Sequence, residues 1–214
     1  MSVQEKERVV ITGLGAVTPL GHTATEFWDG IRAGRSGVAP IEELDVSRHT
    51  TKFGGEVKNF RPELHIDPKE ARRMDRFSQF AVVASDEAMR DSGLEITDAN
   101  RNRVGAIIGC GVGGLLTWER EYEKLLAKGP DRVSPFLIPM MIPNMASGHV
   151  SIRHGACGPN TALVSACASS AHALGVAFDI IRRGDADAII TGGTEAPISH
   201  SGMSGFGNMR ALSR

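Results

Sequence analysis

One long stretch of the chain is almost free of charge, and it constrains the fold more than any other feature. Between residues 133 and 178, Arg153 is the only Asp, Glu, Lys or Arg, although such residues make up 23% of the chain. An apolar stretch of this length can indicate a membrane span. Four prolines interrupt it, however, together with scattered Ser, Asn and His residues. We therefore expect the buried centre of a large α/β core, including a subunit interface.

Short β-branched runs alternate with helical patterns along the chain. Strands are predicted at residues 9–12, 104–108, 161–165 and 188–191. Helices are predicted from the capping-box sequence at residues 23–26 to Gly34, from Asp67-Pro68 to Gly93, at 115–127 and at about 168–182. This alternation is typical of a mostly parallel sheet covered by helices.

The charge balance limits the partners that the chain can have. There are 24 basic and 25 acidic side chains, which excludes a polyanion held by bulk charge. Aromatic residues make up only 5%, so a stacking surface for single-stranded nucleic acid is not expected. Three cysteines are too few for a disulfide scaffold, and the first eight residues lack the apolar centre of a signal peptide. We therefore expect a reducing, cytoplasmic location.

Cys167 is the strongest candidate for chemistry. It stands where a predicted strand turns directly into a predicted helix of small residues. The start of a helix presents free N–H groups and a positive dipole end, which favour a thiolate and can stabilise an oxyanion. A small buried cysteine is the commoner interpretation, and we keep it for Cys110 and Cys157. His172, five residues after Cys167, is predicted to point away from the turn and to serve in packing.

Two further patterns could indicate a cofactor site and a metal site, but the sequence around each of them argues against that interpretation. Residues 109–114, Gly-Cys-Gly-Val-Gly-Gly, match the dinucleotide fingerprint, but they lie far from the start of the domain and no acidic strand end follows. A tight turn that allows close packing is the better interpretation. His149, His154 and Cys157 could suggest a metal site, but the two histidines lie on different helix faces and a fourth ligand is not evident.

Two groups of charged residues need separate interpretations. Lys69, Arg72 and Arg73 have the spacing of one helix face, which is either a solvated surface or a docking patch for an acidic carrier protein. Glu195 is a lone carboxylate in an apolar stretch and needs hydrogen-bonding partners if it is buried. We interpret Glu195 as a residue that orients a loop without itself doing chemistry.

Six motifs occur in order along the chain and together carry a resemblance. They are Val10-Ile11-Thr12-Gly13-Leu14-Gly15 with Thr18-Pro19-Leu20-Gly21, Arg73-Met74-Asp75, Ile138-Pro139 through Pro143-Asn144-Met145, Gly158-Pro159-Asn160, Ala166-Cys167-Ala168-Ser169-Ser170 and Gly192-Gly193-Thr194-Glu195. With these motifs the chain resembles the β-ketoacyl-[acyl-carrier-protein] synthases of the thiolase superfamily, and synthases II in particular. The resemblance covers essentially all 214 residues.

The resemblance implies a thiolase-like α/β fold, with a mixed, mostly parallel, helix-covered sheet. Residues 1–214 would form an N-terminal ketosynthase domain, the first of two similar halves. The implied activity is an acyltransferase reaction of fatty acid biosynthesis, a decarboxylating Claisen condensation without cofactor or metal. Cys167 would hold the acyl group, malonyl-[acyl-carrier protein] would supply the carbanion, and 3-oxoacyl-[acyl-carrier protein] would be the product. The Cys167 N–H would be one of two oxyanion donors.

The resemblance also implies roles for other residues and for partners. The acyl pocket would be lined by Val112, Leu137, Gly202 and Phe206. Acyl carrier protein would dock on Lys69, Arg72, Arg73 and Arg210, and the complete enzyme would be a homodimer formed through strands near Cys167. The family's two catalytic histidines lie in the second half, and none of the seven histidines here matches them. We therefore expect acylation at most, and no turnover, from residues 1–214 alone.

Three other classes share part of this pattern. A thiolase-type acyltransferase that uses coenzyme A would have the same fold but would not need the basic face at Lys69, Arg72 and Arg73. An NAD-dependent Rossmann oxidoreductase would bind its cofactor at residues 109–114. A non-catalytic partner analogous to polyketide chain-length factors typically lacks the nucleophile, so Cys167 argues against it. The acyl-chain length, and the choice between fatty acid and polyketide pathways, stay open.

Overall fold

The computed structural model describes residues 8–213, which contain two small groups of β-strands. The strands are β1 (Ala39–Pro40), β2 (Phe53–Gly54), β3 (Val104–Gly109), β4 (Asn160–Leu163) and β5 (Ala188–Gly193). β1 and β2 form an antiparallel pair, whereas β4, β3 and β5 form a parallel sheet in that order. In this sheet Ala106 lies opposite both Asn160 and Ile190. The prediction of a mostly parallel sheet is confirmed, although the mixed character expected of the sheet is not seen in residues 8–213, where all its strand pairs are parallel.

Eight α-helices are present in residues 8–213. They are α1 (Ala24–Arg32), α2 (Pro68–Ala71), α3 (Arg76–Ser92), α4 (Leu115–Lys128), α5 (Leu137–Met141), α6 (Met145–His154), α7 (Ser169–Arg182) and α8 (His200–Asn208). Short 3-10 turns occur at Pro62–Leu64, Arg101–Arg103, Pro130–Arg132 and Ala166–Ala168. The predicted start of α1 is confirmed, because Thr23 Oγ1 accepts the N–H of Glu26 at 3.1 Å.

The central sheet is covered on both faces. Every residue of β3 is buried, as expected for a middle parallel strand with helices on either side. Helices α6 and α7 both pack on β3, and α3 packs on α6. The core between α3, α6 and β3 includes Phe77 and Val82 of α3, Ile108 of β3 and Val150 of α6. The predicted helix-covered arrangement is confirmed.

The predicted first strand, residues 9–12, is wrong. This segment pairs with none of the strands that the structure describes, and Val10 and Ile11 are 60% and 77% exposed. The chain that follows it runs along α3 instead, and a glycine at position 13 allows it to approach the helix backbone closely. There the N–H of Leu14 donates to Asp91, and the N–H of Ala16 donates to Glu87. Side chains of α3 thus take the place of a neighbouring strand.

The prediction of one helix from residue 68 to Gly93 is also wrong. Asp67 does cap a helix with proline in its first turn, but α2 ends after four residues at Ala71. A new helix, α3, begins directly after Asp75, which caps it: the buried carboxylate of Asp75 accepts the N–H of Phe77. The same carboxylate accepts the N–H of Thr117 of α4 at 2.8 Å. This contact with α4 holds the chain in place at the break between α2 and α3.

The charge-poor stretch is only partly buried. Its buried residues are Met140, Ala146, Ser147, Val150, Ala156, Ser169, Ala173 and Ala177. Its exposed large apolar residues are Phe136, Ile138, Ile152, Val164, Leu174 and Phe178. The buried residues agree with the expectation of a buried centre, whereas the exposed apolar residues do not. Within residues 8–213 no helix is long and apolar enough to cross a membrane.

Candidate active site

The candidate site lies at the carboxyl ends of the three parallel strands. Two hydrogen bonds tie the segments that leave these ends to neighbouring strands. The N–H of Cys110 donates to the carbonyl of Leu163 at 3.1 Å, and the N–H of Thr194 donates to the carbonyl of Gly109 at 3.0 Å. This edge of a parallel sheet is where α/β proteins usually place their ligands.

Cys167 lies in a tight turn that joins β4 to α7. β4 ends at Leu163, two residues earlier than predicted, and a 3-10 turn at Ala166–Ala168 leads into the helix. Ala166 has a φ of 51°, in the left-handed region that non-glycine residues avoid. This geometry leaves the side chain of Cys167 exposed at the beginning of α7. The position predicted for the nucleophile is therefore open to a substrate.

Side chains of α7 form hydrogen bonds with the residues just before Cys167. Ser169 Oγ accepts the N–H of Ser165 at 2.9 Å and donates to the carbonyl of Ala166 at 2.7 Å. Ser165 Oγ lies 2.6 Å from Nδ1 of His172. The prediction that His172 serves only in packing is wrong, because its side chain is exposed and hydrogen-bonded.

Two glycines let α7 sit directly on the ends of β3 and β5. A Cβ atom at Gly109 would lie 2.2 Å from the carbonyl oxygen of Ser169. One at Gly193 would lie 2.4 Å from Cβ of Ser170. Only glycine permits such approaches, so these two residues place the start of α7 at the edge of the sheet.

The glycine-rich loop at residues 109–114 packs closely against its surroundings. Glu195 Oε2 accepts the N–H groups of Gly111 at 2.7 Å and Val112 at 3.0 Å. The N–H of Gly114 donates to the carbonyl of Met141 at 2.9 Å. Both earlier interpretations are confirmed: the loop is a tight turn, and Glu195 orients it through its backbone.

The two other cysteines differ from each other. Cys110 is buried as predicted, and burial together with the charge of Glu195 raises the pKa of its thiol to about 12. The buried position predicted for Cys157 is wrong, because this side chain is exposed. It follows the end of α6, and its Sγ lies 3.5 Å from the carbonyl oxygen of Gly155.

The four residues predicted to line an acyl pocket lie on three neighbouring elements. Helix α4, which follows the glycine-rich loop, packs against both α5 and α8. Val112 is exposed in the loop, Leu137 begins α5, and Gly202 and Phe206 lie on α8. Gly202 is buried, and a Cβ there would lie 2.1 Å from the carbonyl oxygen of Pro197. Whether these residues contact an acyl chain stays a prediction.

The basic residues predicted to dock a carrier protein are all exposed. Lys69 lies in α2, whereas Arg72 and Arg73 lie in the turn that follows, so the single helix face predicted for these three residues is wrong. The break before α3 is the cause. The guanidinium of Arg73 lies 4.7 Å from the centre of the Phe136 ring. Arg210 lies in a different part of the fold, two residues after the end of α8.

Sequence reasoning missed two features of this surface. Lys124, Lys128 and Arg132 line a cleft of about 710 Å³ beside α4. Lys124 and Lys128 are four residues apart on α4 and so share a helix face, a signal that was present in the sequence, whereas Arg132 lies in the 3-10 turn that follows. The hydroxyl bridge made by Ser169 had no such signal, because it depends on the left-handed backbone at Ala166.

The two histidines of α6 serve in packing. His154 Nε2 lies 2.9 Å from Ser85 Oγ of α3, and burial lowers the pKa of both His149 and His154. Cys157 is exposed beyond the end of this helix. The part of the chain that the structure describes holds no group of three or more His, Cys, Asp or Glu residues arranged for a metal ion.

Two curated proteins with similar sequences are each about twice as long as this chain. A 3-oxoacyl-[acyl-carrier-protein] synthase 2 of Staphylococcus aureus is 51% identical over 211 residues, which are 99% of this chain and 51% of the relative. A protein of the same name from Synechocystis is 50% identical over 213 residues, 100% of this chain and 51% of the relative. The chain thus spans about half the length of the curated relatives it matches.

Solved structures with the same fold are likewise matched over about half their length. The ishigamide ketosynthase/chain length factor has a TM-score of 0.88 and 28% identity, and the match covers 97% of this chain and 52% of that one. A β-ketoacyl synthase from Burkholderia phymatum has a TM-score of 0.84 and 29% identity, covering 97% and 51%. Residues 6–214 match the family model described as β-ketoacyl synthase, N-terminal domain. The chain therefore has a thiolase-like fold and belongs to the β-ketoacyl synthase family.

Proposed function

We propose that this chain carries the nucleophile of a 3-oxoacyl-[acyl-carrier-protein] synthase of fatty acid biosynthesis. The observation that carries the proposal is the exposed Cys167 at the start of α7, beside the ends of three parallel strands. The identity of about half to proteins named 3-oxoacyl-[acyl-carrier-protein] synthase 2 supports the same reaction. Of the three cysteines, Cys110 is buried and Cys157 lies beyond α6, so Cys167 alone has this setting.

The first step is transfer of an acyl group to Cys167. Its thiolate attacks the carbonyl carbon of an acyl thioester on acyl carrier protein, and a tetrahedral oxyanion forms. The N–H of Cys167, at the positive end of α7, is a donor to that oxyanion. The oxyanion then collapses, the bond from carbon to the carrier sulfur breaks, and the carrier thiol leaves with a proton.

The second step is condensation with a malonyl group on acyl carrier protein. Loss of carbon dioxide leaves a carbanion, which attacks the thioester carbonyl on Cys167. A carbon–carbon bond forms, the bond to Cys167 Sγ breaks, and 3-oxoacyl-[acyl-carrier protein] is released. In the family, two histidines of a second half assist this step. We propose that residues 1–214 act as the N-terminal domain beside such a half, because none of the seven histidines here matches those positions.

Two surfaces are assigned to the substrates. Val112, Leu137, Gly202 and Phe206 line the acyl pocket, which the packing of α4 against α5 and α8 supports. Lys69, Arg72, Arg73 and Arg210 dock the acidic carrier protein, which their exposure supports. Dependence on this basic surface separates the proposal from a thiolase-type enzyme that uses coenzyme A.

The complete enzyme is proposed to be a cytoplasmic homodimer. β4 is an edge strand of the described sheet, and the residues near it leave apolar side chains exposed. Among these are Val164 beside the Cys167 turn, and Leu174 and Phe178 on α7. Pairing of this edge with a second copy would bury them next to the nucleophile. The three cysteines are all free, which is consistent with a reducing compartment.

The experiment that tests the proposal is acylation followed by peptide mapping. The full-length protein that contains this chain is incubated with a long-chain acyl carrier protein thioester, and its intact mass is measured. We expect one acyl group on Cys167 and none in Cys167→Ala, while Cys157→Ser acylates normally. Equal acylation from acyl coenzyme A would favour the thiolase-type alternative. An unmodified Cys167, or an acyl group on Cys157 alone, would overturn the proposal.

A further inference from the structure

The turn that carries Cys167 holds a backbone conformation that its residues do not prefer. The φ of 51° at Ala166 lies in the left-handed region, which is unfavourable for a residue with a Cβ atom. Ser165 before it has φ −145° and ψ 46°, which is also outside the regular helix and strand regions. Conformations of this kind persist only where surrounding groups hold them. The groups that hold this one therefore control the orientation of the nucleophile.

One buried hydroxyl spans the unusual conformation. Ser169 Oγ accepts the N–H of Ser165 on one side of it and donates to the carbonyl of Ala166 on the other. Only 4% of Ser169 is exposed, so water has little access to replace this hydroxyl. Removing it would leave the N–H of Ser165 without this acceptor, and the carbonyl of Ala166 would keep only its bond from the backbone N–H of Ser169.

A second bridge reaches Ser165 from one helical turn further along α7. His172 Nδ1 lies 2.6 Å from Ser165 Oγ. Because Ser169 and His172 are three residues apart in a helix, they lie on the same side of α7. Both contact Ser165, one through its backbone N–H and the other through its hydroxyl.

We propose that Ser169 and His172 are positioning residues that hold Cys167 in the orientation needed for acyl transfer. The inference rests on the proposed role of Cys167 as the nucleophile. Neither side chain touches the reacting atoms: each fixes Ser165 or Ala166, and these fix the directions of Cys167 Sγ and its N–H. The imidazole of His172 serves as a hydrogen-bonding partner and not as the base.

The test compares Ser169→Ala with Ser169→Thr and with Ser170→Ala in the full-length protein. Ser170→Ala is the matched control, because it removes the neighbouring hydroxyl, which is not part of the bridge. The rate of acyl transfer to Cys167 is expected to fall about tenfold to a hundredfold in Ser169→Ala. Ser169→Thr, which keeps the hydroxyl, should recover most of the rate. Ser170→Ala should stay within about twofold.

Alkylation by iodoacetamide gives a second readout that needs no acyl carrier. The rate at Cys167 is divided by the rate at Cys157 in the same sample, so that Cys157 serves as an internal reference. We expect this ratio to change in Ser169→Ala and to return in Ser169→Thr. A general loss of structure would change both cysteines and would not be rescued selectively by threonine.

His172→Gln and His172→Ala distinguish positioning from proton transfer. Glutamine keeps a hydrogen-bonding group, so His172→Gln should retain more acyl transfer than His172→Ala. Both variants remain informative if Ser169→Ala does not fold, because the His172 side chain is exposed. Unchanged acylation and alkylation at Cys167 in both Ser169→Ala and His172→Ala would overturn the inference. Failure of the unmodified protein to acylate Cys167 would instead overturn the proposed function, and the alkylation ratios would still decide the inference.

Discussion

The carboxylate of Glu195 binds the glycine-rich loop through the backbone N–H of Gly111, at 2.7 Å. The same oxygen accepts the N–H of Val112 at 3.0 Å. Glu195 follows β5 and Gly111 follows β3, so one side chain joins the carboxyl ends of two adjacent parallel strands. The loop that begins beside Cys110 is thereby fixed to the sheet.

This contact occupies backbone groups that a dinucleotide site would need. In such sites the free N–H groups of the loop and of the following helix bind a pyrophosphate. Here the N–H groups of Gly111 and Val112 already donate to Glu195. A phosphate at the same place would meet the carboxylate and be repelled by it. The geometry thus favours the structural interpretation of residues 109–114.

Removing the Glu195 carboxylate should destabilise the protein. Glu195→Ala leaves two backbone N–H groups without this acceptor, and we expect the free energy of unfolding to fall by about 1–3 kcal/mol. Glu195→Gln keeps one acceptor oxygen, so its free energy of unfolding should fall by less. Urea denaturation measures both, with Glu123→Ala, an exposed acid on α4, as the control. Equal effects of Glu195→Ala and Glu123→Ala would contradict this role.

Cys110 should be the least reactive of the three cysteines. Its thiol has a pKa of about 12, against an ordinary value of 9.0, because it is buried and lies near Glu195. Three pKa units mean about a thousandfold less thiolate at pH 8, and the thiolate is the reactive form. Timed alkylation with peptide mapping should modify Cys157 and Cys167 well before Cys110. In Glu195→Gln the modification of Cys110 should become faster, and rapid labelling of Cys110 in the native protein would contradict the assignment.

The elements of the central sheet were predictable because their signals are local. The β-branched run that forms β3 and the capping residues around α1 are short sequence patterns with a direct physical cause. β3, α4 and α7 were each placed within one or two residues of their observed ends. The turn into α7 was also recognisable, so the position of Cys167 just before a helix could be predicted from the sequence.

The errors arose where a distant contact decides the local structure. Residues 9–12 have the composition of a strand, but the chain after them bonds to side chains of α3. The break after α2 depends on Asp75 and on Thr117, which is 42 residues away. Residue patterns carry no information about such partners.

Within the candidate site, the position of Cys167 was predictable and the contacts around it were not. The positions of Ser169 and His172 on α7 follow from helical spacing, but their contact with Ser165 requires the left-handed conformation at Ala166. That conformation is unusual for alanine, so no rule based on residue type indicates it. The interpretation of His172 as a packing residue failed for this reason.

Asp75 should contribute more to stability than an ordinary helix cap. Its two oxygens accept the N–H groups of Phe77 and Thr117, and it is buried. Asp67 caps α2 in the same way but is exposed, so Asp67→Ala is a matched control. We expect Asp67→Ala to cost about 1 kcal/mol and Asp75→Ala about 2–3 kcal/mol. The free energies of unfolding in urea measure the difference, and equal losses would show that the contact with Thr117 adds nothing.

Stability should fall as the pH falls below about 6.5. Burial lowers the pKa of His149 and His154 from 6.5, although Glu70 opposes the shift for His149 and Asp86 opposes it for His154. The unfolded chain therefore binds protons at a higher pH than the folded protein, and its population grows with acidity. Each histidine adds at most about 1.4 kcal/mol per pH unit between the two pKa values.

The pH dependence can be assigned by substitution. His154→Gln should flatten the fall in the free energy of unfolding as the pH falls below about 6.5. Denaturant titrations at several pH values provide the measurement. An identical pH dependence in the native protein and in His154→Gln would remove His154 from this explanation.

Charge reversal on the basic surface should weaken binding of the carrier protein. Arg72 and Arg73 are exposed beside α2. Each of them contributes to the binding of an acidic partner mainly through long-range electrostatic attraction. We expect Arg72→Glu with Arg73→Glu to raise the Kd for acyl carrier protein about tenfold at low salt. The difference should shrink as salt is added, because ions screen exposed charges.

The control for this prediction is Arg101→Glu. Arg101 is also exposed, but it precedes β3 at the opposite end of the sheet from Cys167 and pairs with Asp98 at 3.1 Å. The Arg101→Glu substitution changes the net charge in the same direction, so a general effect of charge on the affinity would appear in this variant as well. Calorimetric titration at two salt concentrations separates the two cases. An affinity that is unchanged by reversal at Arg72 and Arg73, or lowered equally by Arg101→Glu, would place the docking surface elsewhere on the protein.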